Sequence, residues 1–273
     1  MPTTDTLNRD TILCVSLAAR PSNIGTRFHN YLYDELGLNF VYKAFAPADL
    51  GAAVAGIRGL GIRGAGVSMP YKEACIPMLD ELDPSAAVIE SVNTIVNTDG
   101  RLVGYNTDYL AVATALTRHG IATGTEFLQR GSGGMGKAVA AALRDHGLVG
   151  TIVARNERTG PELARQYGFD WTPDAGDRRA QLLVNVTPIG MSGGPQENDL
   201  SFDRSAVAAA EVVFDVVAFP PRTPLIAAAE DLGTPTITGA EIIAAQAAEQ
   251  FALYTGVRPD VAQIRRASEF SRA

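Results

Sequence analysis

Cysteine is close to absent, with only Cys14 and Cys75 in 273 residues. Both lie in apolar contexts without metal-ligand spacing, which speaks against a disulfide framework or a thiolate metal site and leaves them as packing residues. Long apolar runs are missing as well: none approaches the ~20 residues of a membrane-spanning helix. The stretch from Met1 to Asp10 lacks the apolar core of a secretory signal, so the expectation is a cytoplasmic chain free of the membrane. Basic residues are outnumbered, 23 Lys and Arg against 30 Asp and Glu, for a net charge of −7. That balance argues against nucleic acid as a partner and requires any anionic ligand to be met by local cations. Only three histidines occur, and His29, His119 and His146 have none of the company that a metal site or a catalytic triad needs. The single tryptophan, Trp171, points to nothing by itself. No solenoid-length repeat or low-complexity linker is present. With 46% hydrophobic residues, the chain has enough apolar material for one large or two smaller domains.

What is present is alternation. Thr11 to Leu17 is a run of strand formers closed by the loop-like Ala18 to Gly25. Thr26 to Leu36 sets Phe28, Leu32 and Leu36 on one helical face, makes His29 a packed or capping residue, and stops at Gly37. Phe40 to Phe45 is the next strand, Pro47 opens a helix through Ile57, Gly61 to Ser68 is a strand, and Tyr71 to Leu82 is helical. A short helix after Pro84 leads to extended segments at Ser91 to Asn97 and Arg101 to Tyr105, joined by the turn Thr98-Asp-Gly100, and then to a helix from Asp108 to His119. The second half repeats the rhythm, with strands near Phe127, Gly150 to Ala154, Leu182 to Val186 and Val212 to Val217, and a helix near Pro161 to Tyr167. From Gly239 onward two helices, Ala240 to Tyr254 and Pro259 to Phe270, follow with no strand between them. The fold class is therefore α/β with mainly parallel sheets.

The glycine loop lies at the centre of the chain. In Glu126 to Lys137, Gly131, Gly133 and Gly136 fill a G-x-G-x-x-G pattern after a strand and before a helix, where backbone meets a pyrophosphate at a helix N-terminus. Gly134 and Met135 lie within the same loop. A glycine-rich strand-to-helix turn without a ligand has the same local pattern.

Two segments of the first half carry acid–base residues. In Val67-Ser-Met-Pro-Tyr-Lys72 a strand ends and Pro70 starts a helix with Lys72 in its first turn, where the positive dipole end opposes an ammonium. In Gly104-Tyr-Asn-Thr-Asp108 a strand ends in short polar residues before a helix, leaving the Asn106 amide and the Asp108 carboxylate at a loop. Asn106, Thr107 and Asp108 are also favoured helix caps, and Lys72 also reads as a solvated lysine.

Taken together, Val67 to Lys72, Ser91-Val-Asn-Thr94, Gly104 to Asp108, the glycine loop, Asn185-Val-Thr-Pro-Ile-Gly-Met191, Thr223-Pro-Leu225 and Gln246-Ala247 followed by Thr255-Gly256 resemble the ordered motifs of shikimate dehydrogenases. The resemblance covers nearly the whole chain. It implies a substrate domain of residues 1–106 completed by the C-terminal helices at 240–273, and a Rossmann-type NADP-binding domain at 107–239. It implies Lys72 as the catalytic lysine and Asp108 as its carboxylate partner. Asn93, Asn106, Ser68 and Gln246 then bind the substrate. The implied cofactor set adds Thr187, Gly190, Met191, Val217 and Gly239 to the loop glycines, with Gly190 and Met191 on the nicotinamide side. The implied reaction interconverts a ring hydroxyl and a ketone in a small ring carboxylic acid, in the chorismate route to aromatic amino acids, by a monomer or homodimer.

Cofactor choice has its own evidence. An NAD site places Asp or Glu about 20 residues after the glycine loop, whereas Ala154 and then Arg155 stand at this strand end. That pair favours NADP, with Arg155 on the 2′-phosphate and Arg158 or Lys137 assisting. Glu157 is the competing ribose acid. The resemblance fails at Pro21 to Asn30. With His29-Asn30 aligned to the family's His-Asn, Asn23 and Gly25 replace the two serines that grip the substrate carboxylate, and Thr26 replaces a proline. Asn23 retains a donor, Gly25 offers only backbone, and Ser22, Arg20 or Arg27 are candidates to compensate. Ala218 replaces the usual tyrosine before Phe219-Pro220. Three functions follow: a shikimate-type NADP enzyme with altered substrate recognition, a quinate-type dehydrogenase, or an NADP-binding sensor without turnover.

Overall fold

The computed structural model describes residues 7–272, so part of the N-terminal stretch read above for a signal lies outside the described residues. The chain divides into two compact units, one of the residues up to Thr107 together with those from Ala244 onward, the other Asp108–Ile243. Among the described residues no helix is long and apolar enough to cross a membrane.

In the first unit the chain runs β1 (Ile12–Leu17), α1 (Asn23–Glu35), β2 (Phe40–Phe45), α2 (Leu50–Gly59), β3 (Gly64–Val67), α3 (Tyr71–Ala74), β4 (Glu81–Leu82), α4 (Pro84–Ala87), β5 (Thr94–Thr98) and β6 (Arg101–Tyr105). The strands form one sheet in the order β2-β1-β3-β5-β6-β4. Helical crossovers make β1 parallel to β2 and β3. The two-residue turn Asp99-Gly100 makes β5 and β6 antiparallel, and φ is positive at both residues, 51° and 89°, as strand twist demands of such a hairpin.

Period-2 alternation divides the core of this unit between the two faces of the sheet. Val15, Leu17, Ala65, Val67 and Ile95 meet Val54 and Ile57 of α2 on one face. Cys14, Tyr42 and Val96 meet Phe28 and Leu32 of α1 on the other. Burial pushes the Cys14 thiol up to about 12 and the Cys75 thiol up to about 11, so both act as small apolar groups.

In the second unit α5 (Thr107–Arg118), β7 (Glu126–Arg130), α6 (Gly134–Asp145), β8 (Val149–Val153), α7 (Thr159–Tyr167), β9 (Asp170–Thr172), β10 (Leu182–Asn185), α8 (Arg204–Ala209), β11 (Val212–Asp215), α9 (Pro224–Asp231) and β12 (Thr236–Thr238) follow in order. Then α10 (Gly239–Thr255) and α11 (Val261–Arg272) take the chain back to the first unit. The six strands pair in parallel in the order β12-β11-β10-β7-β8-β9. This is the doubly wound order, which reverses between β7 and β10, the place where such sheets bind ligands.

Several elements differ from the sequence reading. The helix expected from Thr26 begins at Asn23, because Ser22 already has the extended backbone of a cap, φ −104° and ψ 167°. The helix expected from Pro47 begins at Leu50, where the Asp49 carboxylate accepts the Ala52 N–H at 2.9 Å. The helix expected from Tyr71 to Leu82 is a single turn, α3, followed by a 3-10 turn at Ile76–Met78 around Pro77 and then by β4. Lys72 therefore sits on one turn of helix and lacks the summed peptide dipole that the sequence reading gave it. The strands β9 and β12 and the helices α8 and α9 were not anticipated.

Candidate active site

In the first unit a buried amide cluster forms where β5, β6 and α10 approach. Asn93 is 3% exposed, and its Oδ1 accepts from the Thr94 hydroxyl (2.8 Å), the Thr107 N–H (2.8 Å) and the Thr107 hydroxyl (3.1 Å). It thus caps the first residue of α5 from a distant strand, and Asp108 follows in that first turn. Asn106 donates from Nδ2 to the Ser91 carbonyl at 2.9 Å. Gln246 accepts the Thr107 hydroxyl at 3.3 Å. One turn later on the same helix face Gln250, which the sequence reading missed, donates to the Asn93 carbonyl (3.2 Å) and the Thr94 hydroxyl (3.0 Å). Its signal was the i, i+4 spacing from Gln246.

Lys72 is tied to this cluster through the backbone. Its carbonyl accepts the Val92 N–H at 2.8 Å, which sets α3 beside the Ser91–Thr94 segment. Ser68 lies exposed at the end of β3, with its N–H on the Leu17 carbonyl at 2.9 Å.

The departing loop is the N-terminal turn of α1. Asn23 is exposed there, and the Ser22 side chain makes no capping bond. A Cβ at Gly25 would lie 3.7 Å from the Tyr42 ring and 3.8 Å from its hydroxyl, ordinary contacts that leave room for a side chain. Of the two candidate compensating arginines, Arg27 has its guanidinium over the Phe270 ring of α11 at 4.8 Å, while Arg20 is exposed. The neighbouring His29 and Asn30 hold the turn in place. Asn30 donates to the Tyr42 carbonyl and accepts its N–H, both at 2.9 Å.

His29 is fully buried, stacks on Tyr42 at 4.3 Å between centroids, and has Nδ1 2.9 Å from the Gly25 carbonyl. A carbonyl only accepts, so Nδ1 carries the proton and the bare Nε2 has no partner. Burial holds its pKa down to about 4 from 6.5. Because the unfolded chain takes the proton first, stability is lost as pH falls from 6.5 to about 4, by about 2 kcal/mol at pH 5 and about 3 kcal/mol at pH 4. Urea midpoints of the parent protein and His29→Asn across that range check this; the variant should show the shallower acid loss. The other histidines also serve structure: His119 Nε2 lies 3.0 Å from Glu241, and His146 Nε2 lies 2.8 Å from the Ile121 carbonyl.

In the second unit the glycine loop sits over the strand reversal. Gly131 has φ +114°, and a Cβ there would fall 2.8 Å from the Val186 side chain, so the loop closes against the end of β10 only with glycine. A Cβ at Gly133 or Gly134 would meet nothing within 4 Å, so this backbone is open to an incoming group. Gly133 caps α6 without a side-chain bond, leaving first-turn N–H groups for an anion. Met135 lies in the same turn.

Arg130, Gly131, Ser132, Ala154, Arg155 and Thr187 line a cavity of about 250 Å³ over these strand ends. The exposed Arg158 is on the loop beyond Asn156, whose side chain accepts the N–H groups of Arg158 and Thr159, each at 3.0 Å. Behind the cavity, Asn185 accepts the Thr187 hydroxyl at 2.6 Å and donates to Asp215 at 3.0 Å. Asp215 also accepts the Val217 N–H (3.0 Å) and the Thr223 hydroxyl (2.6 Å); burial raises its pKa against these bonds. Gly190, with φ +87°, packs on Pro224 and Thr223, and Met191 beside it is exposed. The open glycine backbone and the arginine-lined cavity fit the pyrophosphate and 2′-phosphate of NADP.

Residues 23–95 match the family described as the shikimate dehydrogenase substrate binding domain. A shikimate dehydrogenase-like protein of Haemophilus influenzae is 51% identical over 97% of this chain and 98% of its own length. The NADP(+) shikimate dehydrogenase of Pyrococcus abyssi is 36% identical over 88% of this chain and 90% of its own. The chain belongs to the shikimate dehydrogenase family. The structure of shikimate 5-dehydrogenase from Thermus thermophilus in complex with NADP(H) and shikimate matches with a TM-score of 0.84 at 30% identity, over 95% of this chain and 99% of that one. Membership in the shikimate dehydrogenase family accounts for the α/β architecture of both units and makes the altered turn at Asn23 and Gly25 the feature that needs a functional reading.

Proposed function

We propose that this chain is an NADP-dependent oxidoreductase that interconverts a ring hydroxyl and a ketone in shikimate/3-dehydroshikimate or a related small hydroxylated ring acid. The observation that carries the reading is the amide cluster of Asn93, Asn106, Gln246 and Gln250, fastened beside Lys72 by the Val92–Lys72 backbone bond. Such a density of donors and acceptors suits a polyol ring, since each buried hydroxyl left unpaired costs about 1–3 kcal/mol. Bound NADP supplies or accepts the hydride. Lys72 gives a proton to the carbonyl oxygen in the reductive direction and takes it back in the oxidative one, and Asp108 orients that lysine and a ring hydroxyl. Asn93, whose Oδ1 is committed to Thr94 and Thr107, offers its Nδ2 to the ring, with Asn106, Ser68 and Gln246. The loop Gly131, Gly133, Gly134, Met135 and Gly136 receives the pyrophosphate and Arg155 the 2′-phosphate, with Arg158 as a nearby cation. Thr187, Gly190, Met191, Val217 and Gly239 complete the cofactor set.

Asn23 and the backbone of the first α1 turn meet the carboxylate in place of serine hydroxyls, which lowers affinity for shikimate. The test is nicotinamide absorbance with shikimate or quinate and NADP or NAD, for the parent protein and for Asn23→Ser/Gly25→Ser. The expected result is NADP-linked turnover of shikimate, with the double variant lowering KM for shikimate about tenfold, the worth of one charge-assisted hydrogen bond, and leaving KM for NADP unchanged. An unchanged shikimate KM would overturn the role given to this turn. No turnover of either acid, with NADPH still bound, would instead favour a binding module.

A further inference from the structure

Arg130 is the last residue of β7, directly before Gly131, and stands opposite Val153 of β8, two residues short of Arg155. It lines the 250 Å³ cavity with Arg155 and also a second cavity of about 580 Å³ that includes Asp174, Ser201 and Phe202. The Arg130 side chain is 22% exposed, and a guanidinium in such a partly buried place is ordinarily satisfied by carboxylates. Here the Nε is buried and has no hydrogen-bond partner. Asp174 stands at 3.7 Å, beyond hydrogen-bond length, and its side chain is 79% exposed. The Phe202 ring also lies beside Arg130, 5.3 Å from the guanidinium carbon. Burial, with the like charge of Arg155, weighs against the cation, while Asp174 and then Asp203 favour it through space. A phosphate in the cavity that Arg130 and Arg155 both line would relieve that repulsion.

We propose that Arg130 is a specificity-determining residue for the cofactor, its guanidinium joining that of Arg155 on the 2′-phosphate of NADP. The inference rests on the NADP reading above and extends it to a residue outside the expected set. The experiment is calorimetric binding of two fragments, 2′,5′-ADP and 5′-AMP, to the parent protein, Arg130→Met and Arg130→Gln. The parent should prefer 2′,5′-ADP, and both variants should lose about 10- to 100-fold in affinity for it while holding 5′-AMP as before, which also reports that they are folded. Preference retained in the variants, or equal loss of both fragments in both variants, would overturn the role of Arg130 alone. A parent protein that does not distinguish the fragments would overturn the NADP reading as well.

Discussion

Lys72→Ala lowers kcat/KM for oxidation of the ring alcohol by about 10²- to 10⁴-fold, the contribution of a positioned general acid–base, and leaves NADPH affinity unchanged. The asymmetry follows from where the residues sit. Lys72 belongs to the first unit, while the glycine loop and the Arg155 cavity are built entirely within the second. The α3 turn keeps its place without the ammonium, because the Val92–Lys72 bond and the Tyr71–Ser68 turn bond are backbone interactions. Steady-state kinetics and fluorescence titration of NADPH on the same preparations check both halves. Parent-like turnover in the variant would remove Lys72 from the chemistry. A biological role that survives Lys72→Ala would point to the sensor reading.

Gly239→Ala destabilises the fold by about 3 kcal/mol or more, at the upper end of overpacking substitutions. A Cβ at Gly239 would lie 2.4 Å from the Val216 carbonyl oxygen and 2.4 Å from the Val217 carbonyl carbon. Clashes with side chains relax by rotation, whereas this one is with main chain that already pairs Val216 N–H to the Asn185 carbonyl at 3.0 Å. Relief would pull the start of α10 away from the segment after β11 and disturb the Asp215 network beneath the cofactor cavity. Urea unfolding at neutral pH, with the midpoint lowered and the slope kept, is the measurement; a midpoint equal to the parent's would show that the backbone yields more than this packing suggests.

Much of the fold was legible because its longer elements follow simple periods. Phe40 to Phe45 and Arg101 to Tyr105 occur as read, and the glycine loop announces itself because the turn at Gly131 excludes any side chain. Short elements lacked that signal: β9 and β12 span three residues each and hold their strand state only by pairing with β8 and β11. Tyr71 to Leu82 misled because its apolar spacing suits a helix, while Pro77 and the pairing of Glu81 with Val103 divide it. Within the candidate site, Asn93 was visible through its motif. Its duty as a remote cap for α5 was not, since nothing local shows that Thr107 lies 2.8 Å from it. Gln250 and Arg130 were hidden for the same reason. A lone arginine at a strand end acquires meaning only from what tertiary packing sets against it, and so does the four-residue spacing of Gln250 from Gln246.

The division of the chain fixes an order of completion during synthesis. Residues 108–243 are contiguous and can close their parallel sheet as soon as they leave the ribosome. The first unit, although made earlier, waits for Phe251 and Tyr254 to cover the face presented by Cys14 and Tyr42, and for Gln246 and Gln250 to meet Thr107 and Asn93. Its buried amide cluster is therefore finished last, so a nascent chain can possess a closed parallel sheet beneath the glycine loop before that cluster exists.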